Sequence, residues 1–509
     1  MATVVTVTPA ARPLLTGVEH AGDAAPRKLL GRAFVAGAGT IYQQCATFLT
    51  GVIVARVLGA ADYGVFNLAR NLVDTTSILT RAGLDSGLQR YFGESRAAAD
   101  QAARVLVLRQ LRLVVSVLAL LPVLAVVLGL GRVLEQSVYP HAGFAQLLLV
   151  LSLGLPFFSD LTVLGGAYRG SLKLTPTVLA ECVLMPTARL LIIVVLFMAG
   201  WRLWAVAVGT SLGAVLASGW LALRARRDFV AAPQPAPSWT QARHVLGYSS
   251  VMAGAILVTT LTSSMDILML GRYVPAEQLG QYSLAKTLFL LTGFFATAFS
   301  QGLGGMVADR HMRGDRAGLL HVTKQTFQWI ALGTLPVFAV FLFWGAQLAQ
   351  LFGPSFAISP AVVAWLAGGQ FVLALFGPMG WVLSMTGRHV LEFRILASGL
   401  VVAVVLSAIA VPAHGQFGAA IASFCAIACV NGARMLYVRR ALGAFPLDLR
   451  LVLFAAGGVG LAFLAKLLAV RLPLGLFWNA CAGVGVFVLC YAGACWWYIS
   501  RSGAGRPGR

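Results

Sequence analysis

Apolar positions along this chain fall in long, nearly unbroken runs separated by short polar segments, the pattern of helices that cross a bilayer rather than of amphipathic helices on a soluble core. Read this way, the sequence predicts fourteen spans at about 33–55, 63–88, 106–128, 144–166, 176–199, 203–223, 246–270, 280–304, 324–345, 360–384, 392–412, 417–438, 451–470 and 474–499. The longest connection on the basic side is RARRDFVAAPQPAPSWTQARH, Arg224–His244, whose Pro-rich character marks a linker, with Trp239 at the membrane interface. The predicted architecture is therefore an all-α polytopic membrane protein. It comprises a disordered tail (1–32), a six-helix lobe (33–223), the linker (224–244), a second six-helix lobe (245–440), helices 13 and 14 (441–500) and a second tail (501–509).

Composition sharpens the class. Hydrophobic residues make up 59% of the chain and charged residues 11%, with a mean hydropathy of +0.84, a balance that excludes a soluble fold of 509 residues. The formal charge of +21 does not point to nucleic acid, because the basic residues sit in short loops between apolar runs. With the N-terminus inside, about 28 of the 38 Lys and Arg fall on the cytoplasmic side. The other side holds Arg56, Arg132, Arg202, Arg272, Lys466 and Arg471. That asymmetry predicts both termini in the cytoplasm of a cell with this protein in its inner membrane. No cleavable signal precedes the first span. The cysteines all lie in apolar runs; Cys425 and Cys429 are one turn apart with no His or acid beside them, so they read as packing residues, and no cofactor or metal is expected.

Polar residues inside the spans carry the candidate chemistry. In the second span, Arg70, Asp74, Arg81 and Asp85 fall at roughly 0°, 40°, 20° and 60° around a helix, one narrow stripe, with Ser77 in the same arc. A charge at mid-bilayer costs about 2.5–3.5 kcal/mol on the lenient insertion scale, so the stripe faces protein or water. Arg70–Asp74 and Arg81–Asp85 have the spacing of i,i+4 ion pairs that would only hold helices together; a lined cavity is the functional alternative.

An internal repeat supports the division into lobes. Gly64–Arg70 (GVFNLAR) opens the second span and Gly280–Lys286 (GQYSLAK) the eighth, while Leu134–Pro140 and Leu348–Pro354 share L-x-Q-x-[VF]-x-P; the offsets are 216 and 214 residues. Parallel repeats related by an axis along the membrane normal are a transporter signature. Arg70 and Lys286 are equivalent in the two halves, and a pseudo-twofold would set them facing each other across a central cavity. Arg189 in the fifth span either pairs with Glu181 or joins that site. Tyr42, Gln43, Gln44 and Thr47 in the first span, with Thr259, Thr260, Thr262, Ser263 and Ser264 in the seventh, offer hydroxyl and amide partners, unless they serve only helix packing.

The stretches ARVLGAADYG (Ala55–Gly64), RYFGE (Arg90–Glu94), DILMLGRYVPAEQLGQYSLA (Asp266–Ala285) and LAQLFGPSF (Leu348–Phe356) resemble the polysaccharide-biosynthesis, or oligosaccharide, flippases of the multidrug/oligosaccharidyl-lipid/polysaccharide exporter superfamily. The likeness runs over about residues 27–500. It implies two six-helix lobes in a V, two extra C-terminal helices, a cationic central cavity, and movement of a polyprenyl-diphosphate-linked glycan from the inner to the outer leaflet. Partners would be that glycan, the membrane lipids, and the polymerase and glycosyltransferases of the same pathway. The second-helix pattern of the lipid II flippases is not present. On this reading Arg70, Lys286, Arg81 and Arg189 are substrate-binding candidates, since Arg and Lys replace the hydration of a diphosphate through charge-assisted bonds. Asp74 and Asp266 are candidates for ion coupling, because a carboxylate in a cavity that alternates between wet and dry changes proton occupancy. The alternative is a cation-coupled multidrug exporter, whose cavity should be acidic and aromatic. A membrane glycan polymerase or ligase would need a large external loop with His, Arg or acids, and His141 and His414 lie in short turns without acidic partners.

Overall fold

The computed structural model describes residues 24–94, 99–229, 239–289, 292–293, 307, 310, 312–442, 449–471 and 476–502. The tail before residue 24, the middle of the linker at 230–238, most of the eighth predicted span beyond Phe289, and the end of the chain after 502 lie outside the described residues. Among those described, every regular element is helical, and eleven helices are long and apolar enough to cross a membrane. Two of the eleven are double. The helix Ala24–Arg81 breaks at Gly59 (φ 77°, ψ 176°) and His389–Leu442 breaks at Gly415 (φ 53°, ψ −128°).

Both breaks reverse the chain. Thr47 and Arg70 line one small pocket together with Thr50, Asn67, Val54 and Tyr63, whereas a straight helix would hold Thr47 and Arg70 about 35 Å apart. A Cβ at Gly418 would meet the Ala410 carbonyl, again possible only in a hairpin. Left-handed backbone angles are needed at both turns, and glycine adopts them without a Cβ penalty. A third break alters the polar stripe: Ala82 (φ 46°) and Gly83 (φ 69°) end the second span, so Asp85 belongs to the next helix, Leu84–Glu94. Arg81 and Asp85 are thus not i,i+4 on one helix, and no salt bridge joins them among the described residues. Single-helix geometry holds for Arg70, Asp74, Ser77 and Arg81 only.

The repeat is visible as reciprocal contact. A Cβ on Gly64 would stand 2.4 Å from the Ala276 oxygen, and one on Gly280 would stand 1.7 Å from the Ala60 oxygen, so the two helices cross with backbones touching. Ala60 and Ala276 are themselves repeat equivalents. Beside this crossing, Arg56 donates through Nε and Nη2 to the Leu351 carbonyl at 3.3 and 3.0 Å. Its counterpart Arg272 donates to the Ser137 and Val138 carbonyls, the latter at 3.3 Å. Each lobe therefore holds the other by the same device, on the face whose loops carry few basic residues. His141 Nε2 reaches the Gly271 carbonyl at 2.8 Å, and Ser355 Oγ accepts from the Ala60 amide at 3.3 Å, completing the seal.

At the basic-rich face the lobes also touch. Arg90 lies 4.3 Å from the Tyr248 ring centroid, and Tyr91 donates to Gln241 at 3.2 Å. The last two helices, Leu449–Val470 and Leu476–Ser502, form a satellite on the second lobe. Phe487 and Tyr491 pack with Trp344 and Leu335, and Tyr491 donates to the Leu332 carbonyl at 2.9 Å. Their remaining faces present large apolar side chains such as Leu489 and Trp496, as a lipid-facing surface requires.

Candidate functional site

Between the two seals lies a cavity of about 470 Å³, walled almost wholly by the first lobe. The second span supplies Arg70, Asp74, Ser77 and Arg81 along one side, as its polar stripe requires. The fifth supplies Glu181 and Arg189, the first Gln43 and Thr47, and the second lobe closes it with Thr260. Three cations and two carboxylates line it, one positive charge in excess.

Partners decide which of these charges are free. Arg70 Nε sits 3.5 Å from Asp74, but both side chains are open to the cavity, and such exposed pairs hold each other weakly. Glu181 is engaged by Arg169, whose Nη1 reaches its two oxygens at 3.2 and 2.9 Å. Of the alternatives left open for Arg189, the pair with Glu181 is not formed among the described residues, since Glu181 pairs with Arg169. Arg81 donates through Nε and Nη2 to the carbonyl and hydroxyl of Ser77, at 3.1 and 3.3 Å, with its guanidinium 5.5 Å from the Phe158 ring.

Arg189 is the outlier. It is only 5% exposed, its Nε has no hydrogen-bond partner, and its one hydrogen bond is a long 3.4 Å contact from Nη2 to Thr47. The charged groups that act on it are Arg70 and Asp74, and among the described residues it forms no salt bridge. A buried guanidinium carries a desolvation cost of several kcal/mol, and among the described residues only the attraction of the nearby Asp74 works against it, with no salt bridge formed.

Lys286 and Asp266 are placed differently. Lys286 Nζ bonds both Asp266 oxygens at 2.6 and 2.9 Å and also the Ser263 carbonyl. Asp266, 3% exposed, takes further bonds from Tyr282 Oη at 2.8 Å and from the Ile267 amide at 2.8 Å. This saturated pair lies in the second lobe and is not part of the cavity wall. Arg70, Arg81, Arg189 and Asp74 are brought together, and Lys286 is not among the described residues that line this cavity.

The hydroxyls divide in the same way. Gln43, Thr47 and Thr260 line the cavity; Thr259, Thr262 and Ser263 donate to carbonyls of their own helix, and Tyr42 bonds Thr187 at 2.8 Å. Sequence reasoning passed over Arg169, Phe158 and the orientation of Glu181. The last depends on a π-helical stretch, Val178–Leu184, where one extra residue per turn rotates Glu181 into the cavity. No spacing rule announces such an insertion.

Comparison with known proteins places the chain by family and fold. The profile of a family described as polysaccharide biosynthesis protein matches residues 53–355. A curated relative from Haloferax volcanii, named as a probable low-salt glycan biosynthesis flippase Agl15, is 23% identical over 383 residues, 74% of this chain and 76% of its own. Among solved structures, the lipid II flippase MurJ in an inward closed conformation superposes with a TM-score of 0.75 at 13% identity, covering 92% of this chain and 99% of that one. An inward-facing multidrug resistance transporter of the MATE family, MOP superfamily, gives a TM-score of 0.63 at 15% identity, covering 79% and 94%. At these identities the two structures are likenesses of fold.

Proposed function

The chain belongs to the polysaccharide biosynthesis protein family, and on that premise we propose that it is a flippase carrying a polyprenyl-diphosphate-linked oligosaccharide from the inner to the outer leaflet by alternating access. It is a transporter rather than an enzyme. The observation that carries the reading is Arg189, a buried guanidinium with no acid partner, aimed into a cavity with positive charge in excess. A diphosphate supplies the missing counter-charge. Its oxygens accept the free Nε–H and Nη–H donors of Arg189 and draw on Arg70, whose hold on Asp74 is loose. The polyprenyl chain stays in lipid while the headgroup crosses inside protein, so no phosphate meets hydrocarbon. The flippase named in the curated relative supports this cargo class.

Alternating access needs one seal to open while the other holds. The reciprocal Arg56 and Arg272 contacts form the outer seal, and the Arg90–Tyr248 and Tyr91–Gln241 contacts the inner one. Of the two candidate coupling carboxylates, Asp74 faces the cavity and Asp266 is taken by Lys286, so coupling to a proton is assigned to Asp74. A cationic drug as cargo is disfavoured by the cavity's charge.

The test is direct. Purified protein in proteoliposomes should raise the fraction of a short-chain polyprenyl-diphosphate sugar that an added glycosidase can reach, from about half toward all of it. A fraction that stays at the protein-free level, while a cationic dye is moved, would replace this reading with the drug exporter.

A further inference from the structure

The cavity runs along the second span from Arg70 to Arg81, eleven residues or about 16 Å, which is longer than a diphosphate. Its charge is uneven. At one end Arg70, Asp74 and Arg189 leave one positive charge in excess. Around Arg81 stand Asp85, Glu181 and Arg169, with Asp74 reaching it from the Arg70 end; with Asp74 counted at that end, the sum around Arg81 is zero and no positive charge is in excess. Glu181 is the unexpected member. A carboxylate in a cavity that takes an anion opposes binding by Coulomb repulsion, unless it faces a neutral part of the cargo.

Glu181 is held in place by three separate features. The π-helical turn points it inward, Arg169 fixes both its oxygens, and Gly165 makes room for it: a Cβ at Gly165 would stand 2.0 Å from Oε1. Arg169 reaches the carboxylate through one nitrogen, which leaves acceptor sites open. Beside it, Arg81 offers donors over the face of Phe158, with Thr162 on the same wall. A carboxylate acceptor, a guanidinium donor and an aromatic face form the set that grips the hydroxyls and apolar face of a pyranose.

Resting on the reading above, we propose that Glu181, Arg81 and Phe158 read the first sugar of the cargo, so the cavity is divided into a diphosphate end at Arg70 and Arg189 and a sugar end at Arg81. The cargo enters with its diphosphate deepest and its reducing-end pyranose toward the basic-rich face. Specificity for that sugar resides in Glu181, the residue whose carboxylate can distinguish the arrangement of neighbouring hydroxyls.

The experiment compares binding of farnesyl diphosphate, which has no sugar, with farnesyl-diphosphate-linked glucose and galactose, on wild-type protein and on Glu181→Gln, Gly165→Ala and Arg189→Gln. Glu181→Gln should keep or tighten farnesyl diphosphate binding, weaken the preferred sugar-linked carrier about tenfold or more, and flatten the preference between the two sugars. Gly165→Ala, which expels the carboxylate without removing it, should give the same pattern. Arg189→Gln should weaken all three ligands alike. Equal change for sugarless and sugar-linked carriers in Glu181→Gln would overturn the proposal while leaving the flippase reading intact. No binding of farnesyl diphosphate to the wild type, or none of the expected loss in Arg189→Gln, would overturn both.

Discussion

Arg70 and Lys286 stand at the same place in the two repeats, yet one lines a cavity and the other is locked in an ion pair. The difference lies one helix away. Asp266 is 216 residues beyond Thr50, and Thr50 spends its hydroxyl on the Ala46 carbonyl of its own helix at 2.7 Å. The second lobe therefore cancels its cation with a buried acid on the neighbouring helix, and the first lobe leaves its cation beside an acid exposed to the cavity. Each half carries a basic residue at the repeat position, and a single acid, Asp266, pairs with the one in the second half. The second lobe's pair joins two helices, and the first lobe's excess of charge is where the proposed function places the cargo.

This comparison can be broken at several points. The largest effect is expected from Asp266→Ala, which strands Lys286 and should destabilise the protein by about 3 kcal/mol or more, read as a fall in its thermal unfolding midpoint. Adding Lys286→Met should recover most of that loss. A Lys286→Met single change that abolishes diphosphate binding at unchanged stability would return Lys286 to the substrate site. Next in size, Arg70→Ala combined with Asp74→Ala should insert normally and weaken binding of a polyprenyl diphosphate about tenfold. Recovery of transport in that double variant would reduce Arg70 and Asp74 to a structural pair.

Smaller effects belong to the outer seal. Arg56→Ala and Arg272→Ala should each remove about 1 kcal/mol from the closed state, and cysteines placed at Gln278 or Val138 should then label faster with a small aqueous thiol reagent. Unequal effects would show that the repeat's symmetry does not extend to energetics. The smallest concerns His141, in the turn beside Gly271. Burial holds its imidazole below the ordinary histidine range, although the Gly271 carbonyl opposes this. A depressed value means that neutral His141 stabilises the seal above the unperturbed value near 6.5, and that this contribution is lost as pH falls toward the depressed one. Labelling at the seal should rise modestly between about pH 7 and 5, and His141→Gln should remove that dependence.

Much of this was legible in the sequence, and the exceptions have physical causes. Long apolar runs made the all-helical membrane class legible, because that signal is carried by composition and chain order, while the described residues hold eleven helices long enough to span rather than the fourteen expected. Arg70, Asp74 and Arg81 were placed on one face correctly, since a helix wheel needs only spacing. Asp85 was not, because Ala82 adopts a left-handed angle that few non-glycine residues take. The Lys286–Asp266 pair could not be read, since it joins helices twenty residues apart through side-chain reach. The inward position of Glu181 is not legible from spacing, because a π insertion turns it by an angle that regular helical spacing does not contain.

On the proposed function, Arg189 is kept without an acid partner for an anionic cargo. The direct test is one pair of measurements on Arg189→Gln: the thermal unfolding midpoint without ligand, and the affinity for farnesyl diphosphate. Removing a buried charge that has no partner should leave the midpoint unchanged or raise it, while affinity falls about ten- to a hundredfold. A midpoint that drops while the surviving folded protein binds farnesyl diphosphate as tightly as before would make Arg189 a structural residue and contradict the account.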